Sequence, residues 1–236
     1  MAYAKGYEKT AHLYDLFDMK ENIEFFYNYA SQVDEILDIG AGTGRLAIPL
    51  AEKGVKVFCI EPSPAMRREL ARKLTGRKEL SKNIKLIDSD ATSFKLDQTF
   101  PAAFLSGCFD HFLDNTERFL ALANISKHLK PNGKLVFDVF LGTMKNVPLS
   151  PTEKVAKGNA EYHRYVGRKP LPNKKCEIIL VFETYVCGKL IERIKERSLV
   201  GVIEREDLHH LLKETGFEIQ ELVSRVESEP PMLMSF

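Results

Sequence analysis

The sequence predicts a doubly wound α/β fold, a mostly parallel sheet with helices on both faces. Three observations predict it. Short apolar strands alternate with helices through residues 35–140, at the spacing of βαβ units. The first strand runs straight into alternate glycines, Gly40, Gly42 and Gly44. Acids then recur at three strand ends (Asp38, Glu61, Asp90), on the edge where open α/β sheets bind ligands.

The elements follow in order. Residues 7–30 carry aromatic and apolar side chains at helical spacing, with Tyr7, Ala11 and Tyr14 near one face, which predicts an N-terminal helical lid. Residues 35–39 read as a buried strand, 46–53 as a helix and 55–60 as a second strand. Pro64 opens a helix to residue 74, in the first turn where its missing N–H costs least. Strands at 83–88 and 102–106 follow, then a helix over 117–129, a Pro131-Asn132-Gly133 turn and a fifth strand over 134–140. Residues 142–173 are polar, broken by Pro and Gly, and without helical period. Strands at 177–186 and 189–200 meet at Cys187-Gly188 as an antiparallel hairpin. A helix over 204–215 ends at Gly216, and strands at 217–226 and 232–236 bring the main sheet to seven. The expected organisation is an α/β core, 1–141 and 204–236, interrupted by an antiparallel insertion at 142–203 that roofs the substrate. Removing the hairpin is expected to spare cofactor binding.

Composition narrows the function. The 236 residues suit one decorated domain, and 44% hydrophobic with 28% charged residues excludes a disordered chain. A formal charge of +1 supplies no broad field for nucleic acid or an acidic membrane. No apolar run approaches the ~20 residues that span a bilayer, and MAYAKGYEKT has no apolar signal core. The four cysteines are scattered without a CxxC pair, so no metal site is expected. The expectation is a cytoplasmic monomer or homodimer with a small-molecule partner, no membrane and no nucleic acid.

The glycine run is GxGxG, where a dinucleotide pyrophosphate favours GxGxxG. Asp38, two positions before it, repels a pyrophosphate and favours a ligand with an ammonium group. Glu61 ends the second strand, where a carboxylate accepts hydrogen bonds from a ribose diol. Together the acids suit a nucleoside carrying positive charge.

ILDIGAGTGRLAIPLAEKG (36–54), IEPSPAM (60–66), DSDATSF (88–94), LKPNGKLVFDV (129–139) and LLKETGFE (211–218) resemble, in order, the motifs of class I S-adenosylmethionine-dependent methyltransferases. The wording resembles the small-molecule branch, which carries an antiparallel insertion before the last helix. The resemblance implies a Rossmann-like fold, S-adenosylmethionine as cofactor and transfer of a methyl to N, O or C of a small molecule. It implies that Gly40, Ala41, Gly42, Gly44 and Arg45 line the methionine end and that Glu61 with Pro62 takes the ribose. Met66 would pack on the adenine, with Asp90 and Ala91 at its edge and Ser106, Gly107 and Cys108 by the amino group. Tyr14 would close over the cofactor. Pro101-Ala102 stands where the family often has Asp opening its fourth strand.

Each residue has a plainer alternative. Asp38 could be a turn carboxylate, Glu61 a cap on the helix from Pro64, Asp90 a solvated loop acid and Tyr14 ordinary core. His111 follows the fourth strand and is the candidate catalytic base, since neutral imidazole near pH 7 can accept a proton; otherwise it is structural. Tyr7, Phe109 and Phe112 are expected to wall the acceptor site, and Asp138 to orient an amine or to cap. The basic run from Arg67 to Lys78 reads as a solvated helix face, because Glu69 interrupts it. The competing functions are an RNA or protein methyltransferase, an NAD-dependent oxidoreductase and a non-catalytic S-adenosylmethionine-binding module.

Overall fold

The computed structural model describes residues 7–17 and 21–221. Its central strands are β1 (Glu35–Ile39), β2 (Lys56–Ile60), β3 (Ile84–Ile87), β4 (Phe100–Leu105) and β5 (Leu129–Phe137). They pair in parallel in the order β3-β2-β1-β4-β5. The chain steps outward from β1 to β3, then returns to set β4 on the other side of β1. Adjacent strands diverge there, which opens a crevice at their carboxyl ends.

Alternation along each strand splits the core into two layers. Leu37, Ala103 and Leu105 face one cluster with Leu122 and Ile125 of α6 (Asn115–Lys127) and Leu208 and Leu212 of α7 (Arg205–Glu214). Ile36, Val57 and Phe104 face the other, with Phe26 of α2 (Glu21–Ala30), Leu50 of α3 (Ala47–Glu52), Leu70 of α4 (Pro64–Leu74) and Leu80 of α5 (Lys78–Lys82). A strand buried on both faces reads as a continuous apolar run, as EILDI and VKVFCI do.

The second sheet is antiparallel, β6 (Val147–Lys157), β7 (Ala160–Leu171), β8 (Lys175–Val186) and β9 (Lys189–Gly201), in that order. The hairpin expected at Cys187-Gly188 is there, with positive φ at both residues (49° and 73°). The stretch expected as irregular, 142–173, instead contains the whole of β6 and β7. Most of β6 is exposed, so no buried face writes an alternating pattern into it. The turn between β7 and β8 is Pro172-Asn173-Lys174, with Asn173 and Lys174 at positive φ (61° and 53°), a tight hairpin turn that lacks glycine. One face of this sheet receives Leu13 and Phe17 on Phe182. Phe17 follows the short helix α1 (Ala11–Tyr14), so the sheet grips the N-terminal segment.

Seven main-sheet strands are expected and five are found among the described residues. Residues 217–221 follow α7 outside any strand, although Phe217 and Ile219 pack on the core. Residues 222–226 and 232–236 lie outside the described residues. No described helix is long and apolar enough to cross a membrane.

Candidate active site

The glycine turn is built by backbone geometry. Gly40, Gly42 and Gly44 have φ of 71°, 56° and 85°, a region that L side chains rarely enter. A Cβ on Gly40 would stand 2.7 Å from Cys108 Cβ, so only glycine lets the β1 and β4 ends approach. Gly44 packs among Leu70 and Ile48 and serves the turn from behind. The Gly40 N–H donates to Ile60 O (2.8 Å), which ties the turn to β2.

Glu61 leaves β2 into this turn. Its Oε2 accepts from the Gly42 N–H and its Oε1 from the Ser63 N–H, both at 2.7 Å. The helix cap is Ser63, whose Oγ accepts from the Met66 N–H (3.3 Å); Glu61 does not cap α4. Burial raises its carboxyl pKa, while the Ser63 and Gly42 N–H groups and Arg67 act the other way. Arg67, expected on a solvated face, donates to Glu61 O and Pro62 O (each 2.7 Å) and pairs with Asp88 (2.6 Å). Its neighbours are also paired, Arg72 with Glu69 and Lys73 with Asp15.

One cavity opens over these strand ends. Gly40, Gly42, Glu61, Pro62, Met66, Asp90, Ala91, Ser106, Gly107 and Cys108 line it from below, and Tyr7 and Tyr14 cover it. Asp38, Ala41 and Arg45 line a smaller adjoining cavity with Thr43 and Leu46. Ala11 packs on Ala65 and Met66, which seats the lid on α4. Asp90 Oδ1 accepts from the Thr92 N–H (2.8 Å) and hydroxyl (2.7 Å), a local turn that faces the carboxyl toward the cavity.

Asp38 is 2% exposed, and its Oδ2 has no hydrogen-bond partner among the described residues. Burial pushes its pKa up to about 7, against Arg45 and with a further rise from Glu61. Arg45 also bonds Ser106 Oγ. An orphaned buried carboxylate oxygen beside a glycine cradle is complementary to an ammonium group.

His111 lies on the single helical turn after β4 (Phe109–His111) and faces the cavity beside Phe112 and Glu117. Its Nδ1 is buried without a hydrogen-bond partner, and its ring meets Tyr7 edge-on at 5.9 Å. Burial lowers its pKa, with the Leu199 carbonyl opposing, so the neutral imidazole dominates near pH 7. Phe109, expected in the acceptor wall, is instead fully buried on Phe137 (centroids 4.7 Å) and does not line the cavity. The pattern Cys108-Phe109-Asp110-His111 turns one helical step, which sends Phe109 inward and His111 outward. Asp138 does not line it either; its Oδ1 accepts from the Gly107 N–H (2.5 Å) and so shapes the wall. Cys108 donates to Ile39 O (3.1 Å), and burial holds its thiol well above the usual range, which rules out a ready thiolate.

Sequence reasoning missed Ile39, Ser63 and Glu117 as lining residues of the main cavity. Glu117 had a legible signal. Asp114 caps α6 by accepting from the Glu117 N–H (2.9 Å), while Glu117 Oε2 accepts from the Leu113 N–H (2.9 Å), a reciprocal arrangement that D-N-T-E encodes.

Comparison with known proteins agrees with this layout. Residues 36–133, which carry the glycine turn, Glu61 and the β4 end, match the methyltransferase domain family. An uncharacterized methyltransferase of Geobacillus kaustophilus is 37% identical over 102 residues, 43% of this chain and 45% of that protein. The uncharacterized methyltransferase YrrT of Bacillus subtilis is 35% identical over 102 residues, with the same shares. The chain thus spans less than half the length of these relatives. Among solved structures, DesVI of Streptomyces venezuelae superposes with a TM-score of 0.79 at 17% identity, over 95% of each chain. An amino pentose methyltransferase from Micromonospora echinaspora, solved with its S-adenosylmethionine, gives 0.77 at 18% identity, over 95% of this chain and 94% of that one. These likenesses establish the fold, antiparallel sheet included.

Proposed function

We propose that the chain transfers a methyl group from S-adenosylmethionine to an amine of a small-molecule acceptor. The observation that carries the cofactor is the meeting of three acids and a glycine cradle at one crevice. Glu61 holds a backbone N–H on each oxygen and keeps its outer lone pairs for a ribose diol. The orphaned Asp38 oxygen answers an ammonium, Met66 and Pro62 offer an apolar seat for a base, and Asp90 stands at its edge. When bound, S-adenosylmethionine supplies a methyl already activated on a sulfonium. The protein therefore has to align the acceptor and exclude water.

The acceptor end is lined by Tyr7, His111, Phe112 and Glu117, and among the described residues no Lys or Arg lines the main cavity. That lining suits a neutral or cationic acceptor and disfavours a phosphate or carboxylate. An amine arrives protonated, and the neutral His111 ring, with Nδ1 unpartnered, is placed to take its proton. The tyrosine faces stabilise a methylated ammonium. Proteins of similar fold, a sugar N-methyltransferase from Streptoalloteichus among them, support the same acceptor class. Calorimetry with S-adenosylmethionine and with NAD, followed by labelled-methyl transfer to amino-sugar, alcohol and carboxylate acceptors, tests both halves. Binding of NAD alone would end the cofactor reading, and transfer only to oxygen acceptors the amine reading.

A further inference from the structure

The lid tyrosines have a problem of position. Tyr7 precedes and Tyr14 ends α1, which is four residues long, too short to hold a fixed place by its own hydrogen bonds. Thr10, the residue that begins it, makes no cap bond to its own helix. Its hydroxyl donates instead to Glu196 Oε2 on β9, and the Lys9 N–H donates to Glu196 Oε1 (2.7 Å). Glu196 is 7% exposed, unusual for a strand carboxylate on a solvent-facing insertion. Its outlay of desolvation is offset by two bonds that both reach the same dipeptide. Tyr7 stands three residues before Thr10 and Tyr14 four after. Their rings meet edge-on at 5.5 Å, and Tyr7 touches His111.

We infer that Glu196 is a positioning residue: it straps the lid to the antiparallel sheet and thereby sets Tyr7 and Tyr14 over the cavity. The inference rests on the methyltransferase reading for its functional consequence. The strap itself stands on the geometry alone. Glu196 touches neither cavity, so it acts through Lys9 and Thr10. The second sheet then serves the cofactor side through the lid, contrary to the expectation that its hairpin is dispensable for cofactor binding. Phe182 on β8 supports the same segment by packing on Phe17 at 5.5 Å.

Two measurements on the full chain test this. Tryptic cleavage between Lys9 and Thr10 in unliganded protein reads the strap. It should quicken by roughly tenfold in Glu196→Ala, the scale of losing a charge-assisted bond. Calorimetry with S-adenosylmethionine reads the consequence, a Kd raised about tenfold by the same change. Glu196→Gln, which keeps one acceptor oxygen, should recover most of both effects. Thr10→Val added to Glu196→Ala should add little, because the partner is already gone. Unchanged cleavage and unchanged affinity in Glu196→Ala, with only a lower melting temperature, would overturn the inference. Wild-type protein that fails to bind S-adenosylmethionine would instead overturn the functional reading, and the cleavage measurement would still decide the strap. Should Glu196→Ala not fold, Thr10→Val carries the same two readouts, and no change in either sinks the proposal.

Discussion

Replacing Glu61 by Gln separates the two jobs of that side chain. Each carboxylate oxygen accepts one backbone N–H, from Gly42 and Ser63. The amide group of Gln must face one of those donors. One buried N–H then loses its acceptor, at about 1–3 kcal/mol of folding stability. Binding loses something different. Two diol bonds to a carboxylate become bonds to a neutral amide, a difference of about 1–1.5 kcal/mol each. At 6% exposure there is little solvent to screen this. The total of about 2–3 kcal/mol predicts a Kd for S-adenosylmethionine raised roughly 30- to 150-fold. Calorimetry reads it directly, with a thermal melt as the stability control. Because burial raises the Glu61 pKa, wild-type affinity should also weaken as pH falls, from a point above the ordinary Glu range. The variant should lack that acid limb. A Kd within threefold of wild type, or an acid limb that survives the substitution, would refute the reasoning.

Asp38 gives a pH test of stability. Its pKa rises on folding to about 7, so its contribution is complete below about 3.9 and lost as pH rises through 7. Unliganded protein should therefore melt lower at pH 8 than at pH 5, and Asp38→Asn should flatten part of that slope, leaving the share of Asp110, also near 7. A variant profile parallel to wild type contradicts this. For His111, the lowered pKa predicts that turnover holds to pH below about 6.5 before falling. His111→Ala should cost roughly 10²–10⁴-fold in kcat and abolish the limb, with cofactor Kd unchanged; an intact limb removes its role as base. Gly40→Ala should destroy cofactor binding through the 2.7 Å clash with Cys108, whereas Gly54→Ala meets open space and should cost only its backbone strain in a melt. Equal behaviour of the two would deny the close approach its importance.

The main sheet was legible because burial on both faces and glycine after β1, before β2 and after β4 leave marks in the chain. Residues 35–61 spell strand, turn, helix, strand and acid in a fixed rhythm, and β1, α3, β2 and Glu61 fall where that rhythm puts them. Glycine, with a carboxylate at the next strand end, also announced the cavity floor. Other features escaped. Strand β6 is solvated on most positions, so no alternation betrays it. Asn173-Lys174 turns without glycine, and a lysine at positive φ has no sequence signature. Phe109 and His111 differ by two places on one helical turn, and composition does not say which faces the cavity. Arg67 and Glu196 escaped for a shared reason. Their importance lies in partners outside their own helix or strand, Asp88 and the Glu61 carbonyl for Arg67 and the Lys9 N–H for Glu196, which no helical or strand period encodes.

The second sheet leaves and rejoins the core at one point. Leu141 and Ile203 bridge side by side, and the Gly142 N–H donates to Ile203 O (3.0 Å). The exit and the return are thus neighbours in space, and a splice there shortens the chain without moving either end. This is the geometry of a cassette. One scaffold can carry different sheets without rebuilding the cavity floor at its strand ends. The exchange has one condition. A new sheet must bring its own counterpart to Glu196 and Phe182, because the lid over the old floor hangs from the sheet that was removed.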